Sequence, residues 1–176
     1  MTVPSIRLAT VEDIPDFHRI DAATDAQFID AGHPELAGNG SYIPIEIAHR
    51  AIAESRILVA ELDGVVGWVI VMRFGDELAI GQIAVHPEFQ QRGVGSRLAR
   101  SVVSRASAAG ERSLALSTQS DLAWNRPWYE TLGFVTVPVT EWTAGMHTEA
   151  ADQVNLDWAE TRIFMRLVLP APDVTE

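Results

Sequence analysis

The sequence predicts one α/β (α+β) domain, a mixed and largely antiparallel sheet with helices on its faces. Three observations predict it. Short β-branched and apolar runs recur between Gly, Pro and Asp punctuation, as strands do. Between them lie segments whose apolar positions repeat at helical spacing. The chain has 176 residues, 47% of them hydrophobic and 21% charged. That is one ordinary globular domain, able to bury roughly 70% of its unfolded surface.

Taken in order, Ser5–Thr10 alternates like an edge strand. Thr10 caps a helix from about Val11, with Asp13 near its positive end. Asp25–Ile43 reads as a Gly-, Pro- and Asn-bearing connector, and a second helix runs from Pro44 to about Glu54. Ile57–Leu62 and Val65–Arg73 are strands joined by Asp63-Gly64, a strong hairpin signal. After a turn at Phe74–Asp76, Glu77–Val85 is the next strand. A helix then places Val94, Leu98, Val102, Val103 and Ala106 on one stripe and stops at Gly110. Leu114–Thr118 is a short buried strand, followed by a helix ending near Leu132-Gly133. Phe134–Val139 and Ile163–Leu169 form a last strand pair around an insert at 140–162. Residues 1–170 make the expected domain, and 171–176 read as a disordered tail. The element order is β-α-α-β-β-β-α-β-α-β-β.

No apolar stretch approaches the length of about 20 needed to cross a bilayer, and the N-terminus has no signal-peptide pattern. A soluble, cytoplasmic protein without a membrane partner is expected. The absence of cysteine excludes disulfides, thiolate metal sites and a cysteine acyl-enzyme. No metal is expected. Net charge is −11, unevenly spread: residues 86–112 carry 5 Arg against 2 acids, while 1–85 carry 5 against 13 and 113–176 carry 3 against 9. A broad basic face for nucleic acid is missing. The acidic surroundings suit a cationic partner such as an amine, and equally suit plain solubility.

The basic island coincides with the most informative segment, residues 83–98. An apolar strand stops at Pro87, a polar turn with two glycines follows, and an amphipathic helix begins. The first N–H groups of a helix lack internal partners and point, with the positive end of the dipole, into such a turn. Gly93 and Gly95 keep side chains away from that backbone, and Arg92 and Arg97 add positive charge. The reading is an anion cradle sized for phosphate groups. A dinucleotide fold would need a third glycine after the first strand, and a P-loop would need Gly-Lys in a chain without lysine. A bland turn before a helix is the remaining alternative.

The segment resembles the acyl-CoA signature of the GCN5-related N-acetyltransferases, in which Gln or Arg is followed after two residues by Gly, one residue, then Gly or Ala. Gln90, Gly93 and Gly95 match it, after the usual Val-His-Pro-Glu lead-in. The resemblance extends over nearly the whole element order. It implies a seven-stranded sheet flanked by about four helices and splayed at the fourth strand. It also implies acetyl-CoA as co-substrate, held by Ile83, Ala84, Val85, Gln90, Gln91, Arg92, Gly93, Val94, Gly95 and Ser96. Val85 would turn its N–H toward the thioester oxygen, a donor typically worth about 3 kcal/mol of barrier.

Asn125–Phe134, Asn-Arg-Pro-Trp-Tyr-Glu-Thr-Leu-Gly-Phe, resembles the family's second signature. Asn125 suits the helix cap and Pro127 the first turn, and Asn125 and Tyr129 share a face four residues apart. By resemblance, Tyr129 is the general acid that protonates the departing thiolate and Asn125 contacts the cofactor. The common family form places that Asn seven residues before the Tyr, so this spacing follows one subgroup. His86 before Pro87 is assigned a structural role and Trp128 a core one. The positions where relatives often carry a general base hold Ala79 and Gly81, with Glu77 and Gln82 nearby. Deprotonation through ordered water, or by a residue of the insert, is the alternative.

The acceptor pocket is expected from 25–45 and 140–162, with Tyr42, Glu77, Trp142 and Trp158 as lining residues. Indole faces and carboxylates suit an ammonium group, although Trp142 and Trp158 equally suit covering a sheet edge. The expected activity is transfer of an acetyl group to a primary amine, of a small molecule before a protein N-terminus or lysine. The rival is a catalytically silent acyl-CoA sensor of the same fold. A different acyl donor stays open, and family habit suggests a homodimer.

Overall fold

Gly64 (φ +135°) and Gly75 (φ +61°) turn the chain between three successive strands whose apolar residues are buried or half-buried. The computed structural model describes residues 3–34, 37, 43–153 and 159–170. The strands are β1 (Ser5–Leu8), β2 (Ile57–Glu61), β3 (Val65–Phe74), β4 (Glu77–Val85), β5 (Ser113–Gln119), β6 (Val135–Thr136) and β7 (Arg162–Val168). The helices are α1 (Ile14–Asp30), α2 (Ile45–Ala53), α3 (Val94–Ala108), α4 (Arg126–Thr131) and α5 (Ala144–Gln153). Hydrogen bonding orders the strands β1-β2-β3-β4-β5-β7-β6. Pairing is antiparallel for β1–β2, β2–β3, β5–β7 and β6–β7, and parallel for β4–β5. The parallel ladder joins Ala79 to Ala115 and Ile80 to Leu116, whereas β4 continues to Val85.

The chain forms two compact units, residues 1–71 with 82–101 and residues 72–81 with 102–176. In the first, α1 and α2 cover a core in which Phe17, Ile20, Ile57, Val59 and Trp68 are fully buried. Phe17 stacks on Trp68 at 4.9 Å and 24°. Each such side chain contributes about 2–3 kcal/mol on leaving water. The entry to α1 is fixed electrostatically. Arg7 on β1 donates to both carboxylate oxygens of Asp13 (2.7 and 2.9 Å) and to Glu61 (2.7 Å), and the Thr10 N–H donates to Asp13 at 2.8 Å.

In the second unit, β5 and β7 pair over their whole length, Ser113↔Val168 through Gln119↔Arg162. Its core gathers Phe74, Ala79, Ala115, Val137, Met146 and Phe164. Gly145 lets the start of α5 press on the backbone of the β3–β4 turn, since a methyl group there would overlap the Phe74 carbonyl.

Three sequence expectations need correction. The connector expected from Asp25 is helix as far as Asp30, because the stop is Gly32 at φ +85°, with the His33 N–H closing on the Phe28 carbonyl at 2.9 Å. The last strand pair is shorter than expected: β6 has two residues, ended by Pro138, which cannot donate to a ladder. The insert is not featureless. It holds α5, whose Met146 N–H is capped by the Thr143 hydroxyl at 3.2 Å, so there are five helices where about four were expected.

Candidate functional site

The turn after β4 is built to leave main chain in the open. Pro87–Phe89 form one 3-10 turn, capped by the His86 ring, which accepts from the Glu88 N–H at 3.4 Å. Gln91 and Gly93 then take positive φ (56° and 80°), and α3 starts at Val94. The Arg97 N–H donates to the Gly93 carbonyl at 3.0 Å, which is the first helical bond. Helix geometry directs the N–H groups of the preceding turn outward along the axis. Gln91, Arg92 and Gly93 are exposed, and a Cβ on Gly93 would meet nothing within 4 Å. Arg92 lies over the Phe89 ring at 5.6 Å, while Val94 anchors the helix start in the core at 2% exposure. Gly95 and Ser96 complete the first turn and are half-buried. The arrangement fits a pyrophosphate: backbone donors, an approach without side chains, and a local excess of arginine.

Gln90 sits differently from the exposed residues that follow it in the turn. Its amide donates to the Val85 carbonyl at 2.9 Å and exchanges two hydrogen bonds with Gln27 on α1 (2.8 and 3.0 Å). It ties the turn to the end of β4 and to α1. The His86 N–H donates to Val66 on β3 at 2.9 Å. Strand alternation therefore turns the Val85 N–H to the opposite edge of β4. Ala84 turns its methyl into the core of the first unit, and Ile83 and Val85 are half-buried.

The same unit holds a carboxylate that the sequence reading passed over. Asp21 on α1 is 5% exposed, and its Oδ1 accepts from the Trp68 indole (3.2 Å) and from the Gln82 amide on β4 (3.1 Å). Its Oδ2 is buried and has no hydrogen-bond partner among the described residues. Burial pushes the Asp21 carboxyl up to about 6, although both hydrogen bonds pull the other way. The available signal was an acid following Ile20 and four residues after Phe17, on the apolar face of a helix.

In the second unit, Tyr129 lies on α4, buried between Trp128 (ring centroids 4.7 Å apart) and Phe134 (5.8 Å, edge-on). Burial raises its phenol above the usual value, and the Arg162 charge opposes the rise. Arg162 is itself pushed down to about 10 by burial, and it donates to the Ser117 carbonyl at 3.0 Å. Asn125 occupies the N-cap position of α4, but its side chain makes no capping bond, which corrects the expected cap.

Of the acceptor residues, Glu77 is committed. It takes both donors of Arg166 (2.6 and 2.9 Å) and the Ser113 hydroxyl (2.7 Å). Burial works against its charge, yet these bonds together hold its carboxyl below the usual range. With Arg166, Ser113 and Gly145 it lines a recess of about 700 Å3 within the second unit. Trp142 donates to the Val137 carbonyl (3.1 Å) and packs edge-on against Phe164 at 4.8 Å, joining that unit's core. Tyr42 and Trp158 lie outside the described residues. Ala79 is buried, and Glu77 is the one ionisable side chain on β4. Among the described residues no group of three or more His, Cys, Asp or Glu could hold a metal ion, and no helix is long and apolar enough to cross a membrane.

Residues 53–136 match the family model of the acetyltransferase (GNAT) domain. The fold is similar to N-acetylglutamate synthase from Neisseria gonorrhoeae, complexed with coenzyme A and N-acetyl-glutamate, at TM-score 0.72 and 20% identity. That match covers 97% of this chain and 36% of the synthase, so this chain spans about a third of that protein's length. It is similar also to the PaiA N-acetyltransferase of Thermoplasma acidophilum in complex with coenzyme A (TM-score 0.71, 12% identity, 95% and 99% covered). A third similar structure is the ribosomal-protein-S18-alanine N-acetyltransferase of Escherichia coli (TM-score 0.64, 17% identity, 98% and 99% covered). The chain has the fold of the GCN5-related N-acetyltransferases and matches their domain from the end of α2 to β6, as the resemblance of residues 83–98 and 125–134 implied.

Proposed function

We propose that the chain transfers an acetyl group from acetyl-CoA to a primary amine, that of a small molecule, in the cytoplasm. The observation that carries this reading is the exposed turn at Gln91–Gly93, opened by Gly93 at φ +80° where α3 begins. When bound, acetyl-CoA supplies the acetyl group already activated as a thioester. The amides of Gly93–Ser96 grip its pyrophosphate, and Arg92 and Arg97 supply mobile countercharge. The backbone of Ile83–Val85 orients the pantetheine arm, with the Val85 N–H donating to the thioester carbonyl. Tyr129 delivers the proton that the departing thiolate needs. Burial keeps the phenol protonated at neutral pH, which leaves it a proton to give while making it a weaker acid than a free tyrosine. With Glu77 held by Arg166, the amine gives its proton to water.

A second reading is a silent acyl-CoA sensor, favoured by the absence of an uncommitted ionisable side chain on β4. Thiol release from acetyl-CoA, measured against a range of primary amines, separates the two. Amine-dependent release that drops at least 10-fold in Tyr129→Phe, with acetyl-CoA affinity retained, supports the enzyme. Retained acetyl-CoA binding without release above background for any amine establishes the sensor.

A further inference from the structure

The carboxamide of Gln90 is spent inside the protein. Its two N–H groups go to the Val85 carbonyl at 2.9 Å and to the Gln27 side-chain oxygen at 3.0 Å, and its own oxygen accepts from the Gln27 amide at 2.8 Å. A primary amide has two donors and no more, and an ionised pyrophosphate offers only acceptors. Gln90 therefore has no donor left for coenzyme A, although it opens the motif that reads as the coenzyme's seat. Its bonds run instead to two places on which that seat depends. The first is Val85. The His86 N–H is bonded to Val66 on β3, so the Val85 carbonyl, trans to it across the same peptide, points to the other edge of β4. On that edge the strand runs from Ile80, the last rung of its parallel ladder, to Val85, and Gln90 supplies the donor. The Val85–His86 peptide is held from both sides. The second is α1. Gln27 stands seven residues after Ile20, two turns along the same helix face, and Ile20 is fully buried in the core of this unit.

We infer that Gln27 is a positioning residue acting through Gln90, holding the turn at 87–93 and the Val85 peptide in the arrangement that acetyl-CoA meets. The inference rests on the acetyltransferase reading and deepens it by naming a residue outside both motifs on which coenzyme binding depends. The other bonds of the turn are local. The Phe89 N–H closes on His86, the Gln90 N–H on Pro87, and the Glu88 N–H on the His86 ring. The paired amides fasten this exposed turn to a packed helix 63 positions away. Without Gln27, an N–H and the oxygen of Gln90 turn to water. The turn must then be ordered at the moment of binding, and that ordering is charged against affinity. Nothing in this requires Gln27 to touch the coenzyme.

Calorimetric titration of coenzyme A into the full chain, Gln27→Met, Gln90→Met and the double variant tests this. Met is unbranched and close to Gln in size, carries no N–H, and adds no charge beside the phosphates. Gln27→Met should weaken coenzyme A about 10-fold, the worth of one or two hydrogen bonds, and Gln90→Met by at least as much. The double variant should lie within about 2-fold of Gln90→Met, because a residue that acts through Gln90 has nothing to act on once Gln90 is gone. Gln27→Ala repeats the test should the Met variant not fold. The Val85 carbonyl 13C signal reports the positioning directly, since accepting a hydrogen bond moves it downfield. In Gln27→Met without coenzyme it should move upfield, part of the way to its place in Gln90→Met. If the unmodified chain binds coenzyme A and Gln27→Met binds it within about 2-fold, the inference is overturned. It is overturned as well if Gln27→Met costs as much in the Gln90→Met background as alone, or if only the unfolding free energy falls while affinity and the Val85 signal stay put. If the unmodified chain takes up no coenzyme A, the acetyltransferase reading itself falls and takes the inference with it.

Discussion

Asp13 and Asp21 lie eight residues apart, at the entry and in the middle of the first helical segment, and both are 5% exposed. Their chemistry is opposite. The Arg7 guanidinium, with help from the Thr10 N–H, holds the Asp13 carboxyl below its ordinary range even though burial pushes the other way. Burial pushes Asp21 up to about 6, because its two donors are neutral and reach only one oxygen. Equal burial therefore says nothing about whether a buried acid supports the fold or strains it. The partner decides. Asp13 pins β1 to the start of α1, whereas Asp21 holds a charge that the fold would be more stable without.

The comparison is broken most forcefully from the Arg7 side. Arg7→Leu strands a buried carboxylate, and we expect a loss of about 3 kcal/mol at pH 7, at the low end for buried pairs because Arg7 is partly exposed. Denaturant unfolding measures it, and the loss should shrink as pH falls. The native Asp13 carboxyl is lowered, so its stabilisation is complete above about pH 4 and disappears as pH drops through the lowered value.

Asp21→Asn should move the other way. The folded protein holds the Asp21 proton up to about pH 6 while the unfolded chain releases it near 4. Stability therefore falls as pH rises between those values. The substitution should gain about 2 kcal/mol at pH 8, or about 6 °C in Tm for a chain of this size, and nothing below pH 4. A loss of stability at pH 8 would contradict the contrast.

The smallest effect sharpens the same point. Arg126 and Glu130 on α4 approach to 2.8 Å, nearly the 2.7 Å of Arg7 and Asp13, yet both are 47% exposed. Arg126→Ala should change the unfolding free energy by less than about 0.5 kcal/mol.

Much of the molecule was legible because the decisive chemistry is local in the chain. A strand, a glycine-bearing turn and a helix start follow one another directly at residues 83–98, so that local structure was legible, and the phosphate-binding role given to it is the proposal built on it. The Asp63-Gly64 hairpin and the α3 stripe were legible for the same reason. What failed was chemistry assembled across the chain. Asp21 meets Trp68 and Gln82 from 47 and 61 positions away, so its isolation could not be seen. Gly145 looks like a helix breaker until its approach to the Phe74 backbone explains it. Two misses were readable: Gly32 as the stop of α1, and Thr143 as the cap of α5.

The most direct test is calorimetric titration of acetyl-CoA into the unmodified chain, Gly93→Asn and Gly93→Glu. Asn tolerates positive φ and adds no charge, whereas Glu places bulk and a carboxylate where the phosphates would lie. Micromolar binding that survives, weakened, in Gly93→Asn and vanishes in Gly93→Glu is the predicted result. Equal binding by all three, or no heat from the unmodified chain at millimolar acetyl-CoA, would contradict it.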